Sequence, residues 1–442
     1  MKATIVFILI LLTSLLSHTK AQQWSNNLVT TKLATGTVVN LHMDVYNDTI
    51  FIAFIDKGNN DKANVMKFTG KEWVHVGQPN FTEGKAGNLQ FAMSNGIPWV
   101  AFSDGANGNK ATVMRFNGSG WEYVGSPGIS KYIASHLALR ISGGTAYLAY
   151  SDAEFNDKAT VVKSSGGAWT IVGTAGFTPG TSGVYSLAVS GSTPYLSFRD
   201  YANNYRASVM KFDGSKWSFV GTPGFTPSTH DGYSYCLAVN GGVPYLAARG
   251  TDAKATVYKF DGTGWTPLGT DGISSSTAFG LSLTFSSSGI PYVAFGDGSS
   301  SWRLTVMRYE NNHWIPMGER FSSSSASYIN LALKSNGTPV VGYNGIIVQQ
   351  YSGLTNTMEW ASNISFIIFP NPNTGQFSMD IPGSENEPTN IEIWTAEGKL
   401  IHSFETYAGK QRFIQTGNLS PGMYLIKAAN INFKAVQKMV VR

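Results

Sequence analysis

Between Gly183 and Gly221 the hydrophobic and polar positions fall into four short runs. Leu187-Ala188-Val189 and Pro194-Tyr195-Leu196-Ser197-Phe198 are apolar segments joined through Gly191, the pattern of a hairpin. After Asp200 and a polar loop comes Ala207-Ser208-Val209-Met210-Lys211-Phe212, then the turn Asp213-Gly214, then Trp217-Ser218-Phe219-Val220-Gly221. A longer stretch rich in Gly, Thr, Ser and Pro follows and leads to the next apolar run at Leu237-Ala238-Val239. The pattern predicts four antiparallel strands and a crossover to another set of four.

That set recurs along the chain. Trp73, Trp121, Trp169, Trp217 and Trp265 stand 48 residues apart, with Trp24 and Trp314 one residue further off at the ends. A period of about 40 to 50 residues marks a repeat architecture in which each unit buries its apolar face on its neighbours. The second strand of each unit places Phe51, Trp99, Tyr147, Tyr195, Tyr245 and Tyr292 at one position, with Ala53, Ala101, Ala149, Ser197, Ala247 and Ala294 two residues on. Large beside small on one side, with Phe54, Phe102, Tyr150, Phe198 and Phe295 on the other, describes a strand buried on both faces. Core packing, rather than an aromatic ligand box, is the expectation for these positions.

The ends complement each other. The chain opens with a tryptophan strand alone, whereas the seventh unit carries Leu331-Ala332-Leu333, Pro339-Val340-Val341-Gly342-Tyr343 and Ile346-Ile347-Val348-Gln349-Gln350-Tyr351 with no tryptophan strand after them. Pairing the first strand into the last sheet removes two exposed edges. The fold class expected is all-β: a seven-bladed β-propeller over residues 22–353, a linker at 354–363 and a small Ig-like β-sandwich at 364–442. WD dipeptides and kelch double glycines are missing, so the repeat points to no named propeller family.

Composition adds limits. Of 442 residues 42% are hydrophobic and 13% charged, and 48 glycines supply the turns an all-strand chain needs. The formal net charge of +5 is spread without a basic stripe, so no nucleic-acid partner is expected. Residues 1–21 read as an export signal: Lys2, an apolar stretch from Ile5 to Leu16, and Thr19-Lys20-Ala21 at the cleavage point. That stretch is too short for a membrane span, and no transmembrane segment is expected elsewhere. Cys236 is the single cysteine and is expected to be a packed core thiol.

After Gly353 the period vanishes. Phe369-Pro370-Asn371-Pro372-Asn373-Thr374-Gly375-Gln376-Phe377 is followed about 45 residues later by Leu419-Ser420-Pro421-Gly422-Met423-Tyr424, and the chain ends Gln437-Lys438-Met439-Val440-Val441-Arg442. Together these segments resemble the type A C-terminal sorting domain of the type IX secretion system of Bacteroidota. The resemblance implies a sorting signal at Pro370, Asn371, Pro372, Gly375, Phe377, Leu419, Gly422, Tyr424, Lys438 and Val440. It also implies two partners, the outer-membrane translocon and its C-terminal signal peptidase, and a product secreted or held on the cell surface of a Gram-negative host after passage through the periplasm.

Candidate chemistry in the propeller is sparse. An Asp closes the second strand and a cation opens the third six residues on: Asp56 with Lys62, Asp104 with Lys110, Asp152 with Lys158, Asp200 with Arg206, Asp297 with Arg303. Pairing across the loop, worth about 0 to 1 kcal/mol when exposed, is the expectation. Calcium ligation through the oxygens of Asp56 and Asp61 or Asp152 and Asp157 is the rival reading, disfavoured by the adjacent lysines. Crossovers and these loops emerge on one face, where Phe81, Phe177, Phe225 and Phe321 either stack on sugar rings as ligand-binding candidates or fold back to plug the gaps between blades. Plugging is the expected use. His42, His75, His136, His230, His313 and His402 form no metal-ligand spacing, and no nucleophile elbow or phosphate loop appears, so no catalytic residue, metal or cofactor is expected. The function expected is an exported cargo whose propeller binds a glycan or protein outside the cell. The alternative is a secreted glycan-active hydrolase or lyase with a site in the central channel.

Overall fold

The computed structural model describes residues 23–227, 235–318, 321–322, 325–353, 366–374, 376–381, 388–395, 400–407, 412–415, 419–429 and 434–442. The export signal at 1–21, the linker at 354–363, His230 and Gly375 lie outside the described residues. The chain divides into two compact units, Met1–Gly353 and Leu354–Arg442.

The first unit is a seven-bladed β-propeller. Six four-stranded antiparallel sheets run in chain order, and a seventh is completed by the strand Gln23–Trp24, which pairs with Ile347–Gly353. We number the blades in chain order, from residues 38–75 for the first to residues 330–353 with 23–24 for the seventh. The first strand of each blade is innermost. Each inner strand touches those of both neighbours, and Val38–Tyr46 meets Asn330–Leu333 where the ring closes. Apolar clusters form between consecutive sheets, with Phe54, Phe102, Phe198 and Phe295 wholly enclosed. The two-sided burial implied by the large-small alternation is what the sheets display.

The periodic tryptophans do more than fill space. Each indole Nε1–H donates to a carbonyl of the preceding blade's outer edge: Trp24 to Met317, Trp73 to Leu28, Trp121 to Val76, Trp169 to Val124, Trp217 to Val172, Trp265 to Val220 and Trp314 to Leu268, at 2.7–3.2 Å. Seven bonds thus circle the disc. The residue after most of these carbonyls is glycine because the indole lies against the backbone there: at Gly173, with φ +78°, a Cβ would stand 2.7 Å from Phe212 and 3.1 Å from Trp217.

In the second unit, Ile367–Phe369, Gln376–Asp380 and Arg412–Gln415 form one sheet, and Leu400–Tyr407, Pro388–Thr395, Gly422–Ala429 and Lys434–Val441 the other. Phe366, Phe377, Met379, Ile391, Ile393, Ile426 and Met439 make its core.

Candidate functional site

The repeated aspartates are structural caps. Asp56, Asp104, Asp152, Asp200 and Asp297 are 1–4% exposed, and each accepts the backbone N–H two residues on, at 2.9–3.1 Å. The hydroxyls of Thr112, Thr160 and Ser208 donate to three of them from the adjoining strand. Each aspartate does sit opposite its cation in the ladder, Asp104 opposite Lys110 for example. Yet none of the described ion pairs joins a member of this set to the cation six residues on, and Lys62 donates to the Glu83 carbonyl instead. The expected pairing is corrected for a physical reason: the carboxylate turns inward, where several oriented donors outcompete one solvated ammonium. Among the described residues no group of three or more His, Cys, Asp or Glu gathers as a metal site.

Blade 5 lacks the aspartate and has Gly250 in its place. Asp271, from the following crossover, reaches into the vacancy and accepts from Thr251 at 2.6 Å and Thr256 at 2.8 Å. A Cβ on Gly250 would stand 2.3 Å from its Oδ1. Burial raises the Asp271 carboxyl, but the two threonine hydroxyls and backbone donors pull it below its usual range.

On the face of the crossovers, all four rim phenylalanines are half-buried against an indole. Phe81 stacks on Trp121, Phe177 on Trp217 and Phe321 on Trp24 at 4.1 Å between centroids, and Phe225 on Trp265 at 4.6 Å, with interplanar angles of 4–17°. One face of each ring is therefore occupied. The large aromatics exposed on this rim are others, Tyr132, Tyr201, Tyr205, Trp302 and Tyr328. Tyr205, Trp302 and Tyr328 hold φ of +51 to +64°, a conformation bulky residues rarely adopt. Arg199 lies 5.4 Å from the Tyr201 ring and 4.7 Å from that of Tyr205. Tyr205 and Trp302 share one repeat position, directly before the cation that opens the third strand, but Asp61, Asn109 and Asp157 hold it in other blades, so no aromatic period announces it.

The opposite face carries a feature that does repeat. Phe51 and Lys67, Trp99 and Arg115, Tyr147 and Lys163, Tyr195 and Lys211, Tyr245 and Lys259, and Tyr292 and Arg308 are direct cross-strand partners. Every one of these blades thus sets a cation beside the aromatic that the alternation assigned to packing. Between blades 2 and 3 a cleft of about 530 Å³ opens around Trp99, Arg115 and Tyr123, walled by the turns at Gly143-Gly144 and Gly166-Gly167. The corresponding cleft between blades 4 and 5, about 580 Å³, holds Tyr195, Lys211, Gly242, Lys259 and Asp261. Trp99 is only 4% exposed and its indole N–H has no hydrogen-bond partner. Arg115 stands 5.5 Å over its ring. The sequence signal was present in the third strand, one cation per repeat, but means nothing until the register pairs it with the aromatic.

The axis is lined by polar inner-strand residues. His42 and Asp44 of blade 1 and Cys236 of blade 5 each reach the inner strand of the next blade, and all three feel the charge of Arg140 of blade 3. Burial, opposed by a backbone hydrogen bond at Leu89, drops His42 to about 4. Burial raises Asp44, which accepts from the backbone N–H groups of Val45 and Met93. Burial also raises the Cys236 thiol, which points its sulfur at the Leu283 carbonyl, 3.6 Å away.

In the second unit the three motif segments meet. Asn371 donates to the Lys438 carbonyl at 2.7 Å and accepts from the Val440 N–H at 2.9 Å, while Asn373 donates to the Val440 carbonyl. Gly422-Met423-Tyr424 pairs with Met439-Val440-Val441, Phe377 is wholly buried, and the Tyr424 hydroxyl donates to Ser420. Leu419 packs against the core. Residues 367–442 match the family model described as Secretion system C-terminal sorting domain. The tail is a type IX sorting domain. It marks the chain as secreted or cell-surface cargo that engages the secretion system. No helix among the described residues is long and apolar enough to cross a membrane.

The sorting domain leaves the propeller's role open. No curated protein matches the chain. Solved structures similar to it include a triple arginine-to-alanine mutant of AofleA from Arthrobotrys oligospora, at 11% identity and TM-score 0.43 over 66% of this chain and 88% of that one. SapL1 lectin in complex with alpha methyl fucoside is similar at 17% identity and TM-score 0.44, over 68% of this chain and 100% of that one. Trypanosoma rangeli sialidase in complex with the inhibitor DANA is similar at 10% and 0.41, over 85% and 88%. At these values the likeness carries nothing about ligand.

Proposed function

We propose that the propeller is an extracellular glycan-binding module, delivered by an N-terminal export signal at residues 1–21 and by the sorting domain in a Bacteroidota host. The arrangement proposed is a propeller at 22–353, a linker at 354–363 that the C-terminal signal peptidase cuts, and a sorting domain at 364–442. The observation that carries the reading is the cleft found at two equivalent joints of the ring, combining an aromatic with a cation and walls of glycine. Such a site, repeated, turns weak single contacts into tight attachment by avidity. The recurring carboxylates, which a catalytic reading needs, are spent as caps. The test is a glycan array with the mature chain, run with and without chelator. Retention without turnover is the expected result; silence on the array together with cleavage of a polysaccharide overturns the reading.

A second reading rests on the axis, where a neutral His42 and an Asp44 raised by burial lie near Arg140. Perturbed titratable groups in a channel are where acid-base chemistry collects. A hydrolase or lyase at this position predicts that His42→Gln abolishes turnover of any polysaccharide the chain cleaves, without altering retention on the array.

A further inference from the structure

The geometry points to acidic polysaccharide, with carboxylate or sulfate groups, as the ligand class of the clefts on the turn face. This rests on the glycan-binding reading and gives it a charge. Of the six cations set beside the strand aromatics, two have an acidic partner: Arg115 pairs with Glu122 at 2.7 Å and Arg308 with Glu310 at 2.6 Å. None of the described ion pairs involves Lys67, Lys163, Lys211 or Lys259. The same face therefore presents a ring of cations in one register, more of them uncompensated than paired, on a chain whose formal charge is +5.

The cleft between blades 2 and 3 shows what such a cation has to work with. Trp99, buried with an unpartnered N–H, forms its floor, and the Arg115 guanidinium overlies the indole. Glu122 takes the Nε–H of this guanidinium, and its place on the aromatic face leaves the terminal amino groups as in-plane donors for a carboxylate or sulfate. The opposing wall is Gly143, Gly144, Gly166 and Gly167, around each of which no atom lies within 4 Å of where a Cβ would be. Bare backbone leaves room for a sugar ring beside the cation. The second cleft sets Tyr195 and Gly242 beside two cations, Lys211 and Lys259, against one carboxylate, Asp261, which is engaged by the backbone N–H groups of Thr263 and Gly264. A chain polymer with one acid group per repeating unit meets a ring whose sites recur by rotation, the geometry in which avidity operates.

The experiment titrates the full mature chain with three soluble oligomers of similar length: oligogalacturonate, sulfated dextran and neutral dextran. Arg115→Glu with Lys211→Glu reverses charge in both clefts. Lys57→Glu with Lys85→Glu makes the same change in net charge on the opposite face, where both side chains are more than half exposed. The expected result is binding of one or both acidic oligomers, weakened about 10-fold or more by the cleft pair and less than about 2-fold by the opposite pair. The two acidic arms separate a carboxylate from a sulfate ligand. Equal loss from both variants shows a general charge effect and overturns the proposal. Binding of neutral dextran with neither acidic oligomer, or acidic binding indifferent to the cleft variant, overturns it while leaving glycan binding standing. Retention of none of these oligomers, nor of any sugar on the array, overturns both.

Discussion

Gly250→Asp restores to blade 5 the residue its neighbours carry, yet it should destabilise the protein. The vacancy is already filled: a Cβ at 250 stands 2.3 Å from Asp271 Oδ1 and 2.3 Å from Thr256 Oγ1. Either the two carboxylates crowd together, or Asp271 swings away and surrenders its bonds to Thr251 and Thr256. Two unit charges at 4 Å repel by about 1 kcal/mol in water and about 4 kcal/mol at an effective dielectric of 20. Asp271 is exposed at the surface, so a cost of about 2 to 3 kcal/mol is expected. Asp271→Ala alone leaves the buried Thr256 hydroxyl without its acceptor, about 1 to 3 kcal/mol. The double variant hands the cap to the new carboxylate, with alanine at the crossover position as blade 3 has at Ala175. It should recover most of both losses. Urea denaturation followed by tryptophan fluorescence measures the three variants against the parent, and a coupling of about 2 kcal/mol or more in favour of the pair is the expected result. Additive losses would refute the claim that Asp271 stands in for the missing aspartate.

Phe177→Ala removes a half-buried ring stacked 4.1 Å from Trp217, and should cost about 2 to 3 kcal/mol in the same denaturation assay, from lost burial and lost stacking. A loss below about 0.5 kcal/mol with weakened glycan retention would instead mark the ring as a ligand platform. His42 is held to about 4 by burial against 6.5 when unfolded, so its contribution to stability is complete above pH 6.5 and is lost as pH falls toward 4. About 3 kcal/mol is at stake, and the pH profile of His42→Gln should lack that part of the acid slope.

Much of the propeller was legible because its cause is periodic. Blade number, strand order and ring closure follow from where Trp24 and Trp314 fall in the period and from which strand each end lacks. The inter-blade bond from indole to carbonyl was legible only in part. The tryptophans announced it, but the acceptors, Val76 and Val124 among them, are backbone atoms that carry no side-chain signature. The sorting tail was readable for the opposite reason: Asn371 reaches the last strand through its own side chain, so the residue type is itself the contact.

The aspartate and cation of each hairpin loop show where sequence pairing misleads. Spacing brings Asp104 and Lys110 opposite one another, and the ladder agrees. Whether opposite charges join depends on what else competes for the carboxylate, and here the Ala106 N–H, the Asn107 amide and the Thr112 hydroxyl all point at it. Three donors fixed by the fold cost little further entropy, whereas a lysine must be immobilised to pair. The same logic inverts on the other face. There Arg115 and Arg308 are paired with glutamates, but none of the described ion pairs takes Lys67, Lys163, Lys211 or Lys259, which stand beside their aromatics with their charge available. Repetition in this chain therefore marks scaffold where the polar group is satisfied from within, as at the aspartates. It marks a candidate surface for ligand where that group is not, as along the row from Lys67 to Lys259.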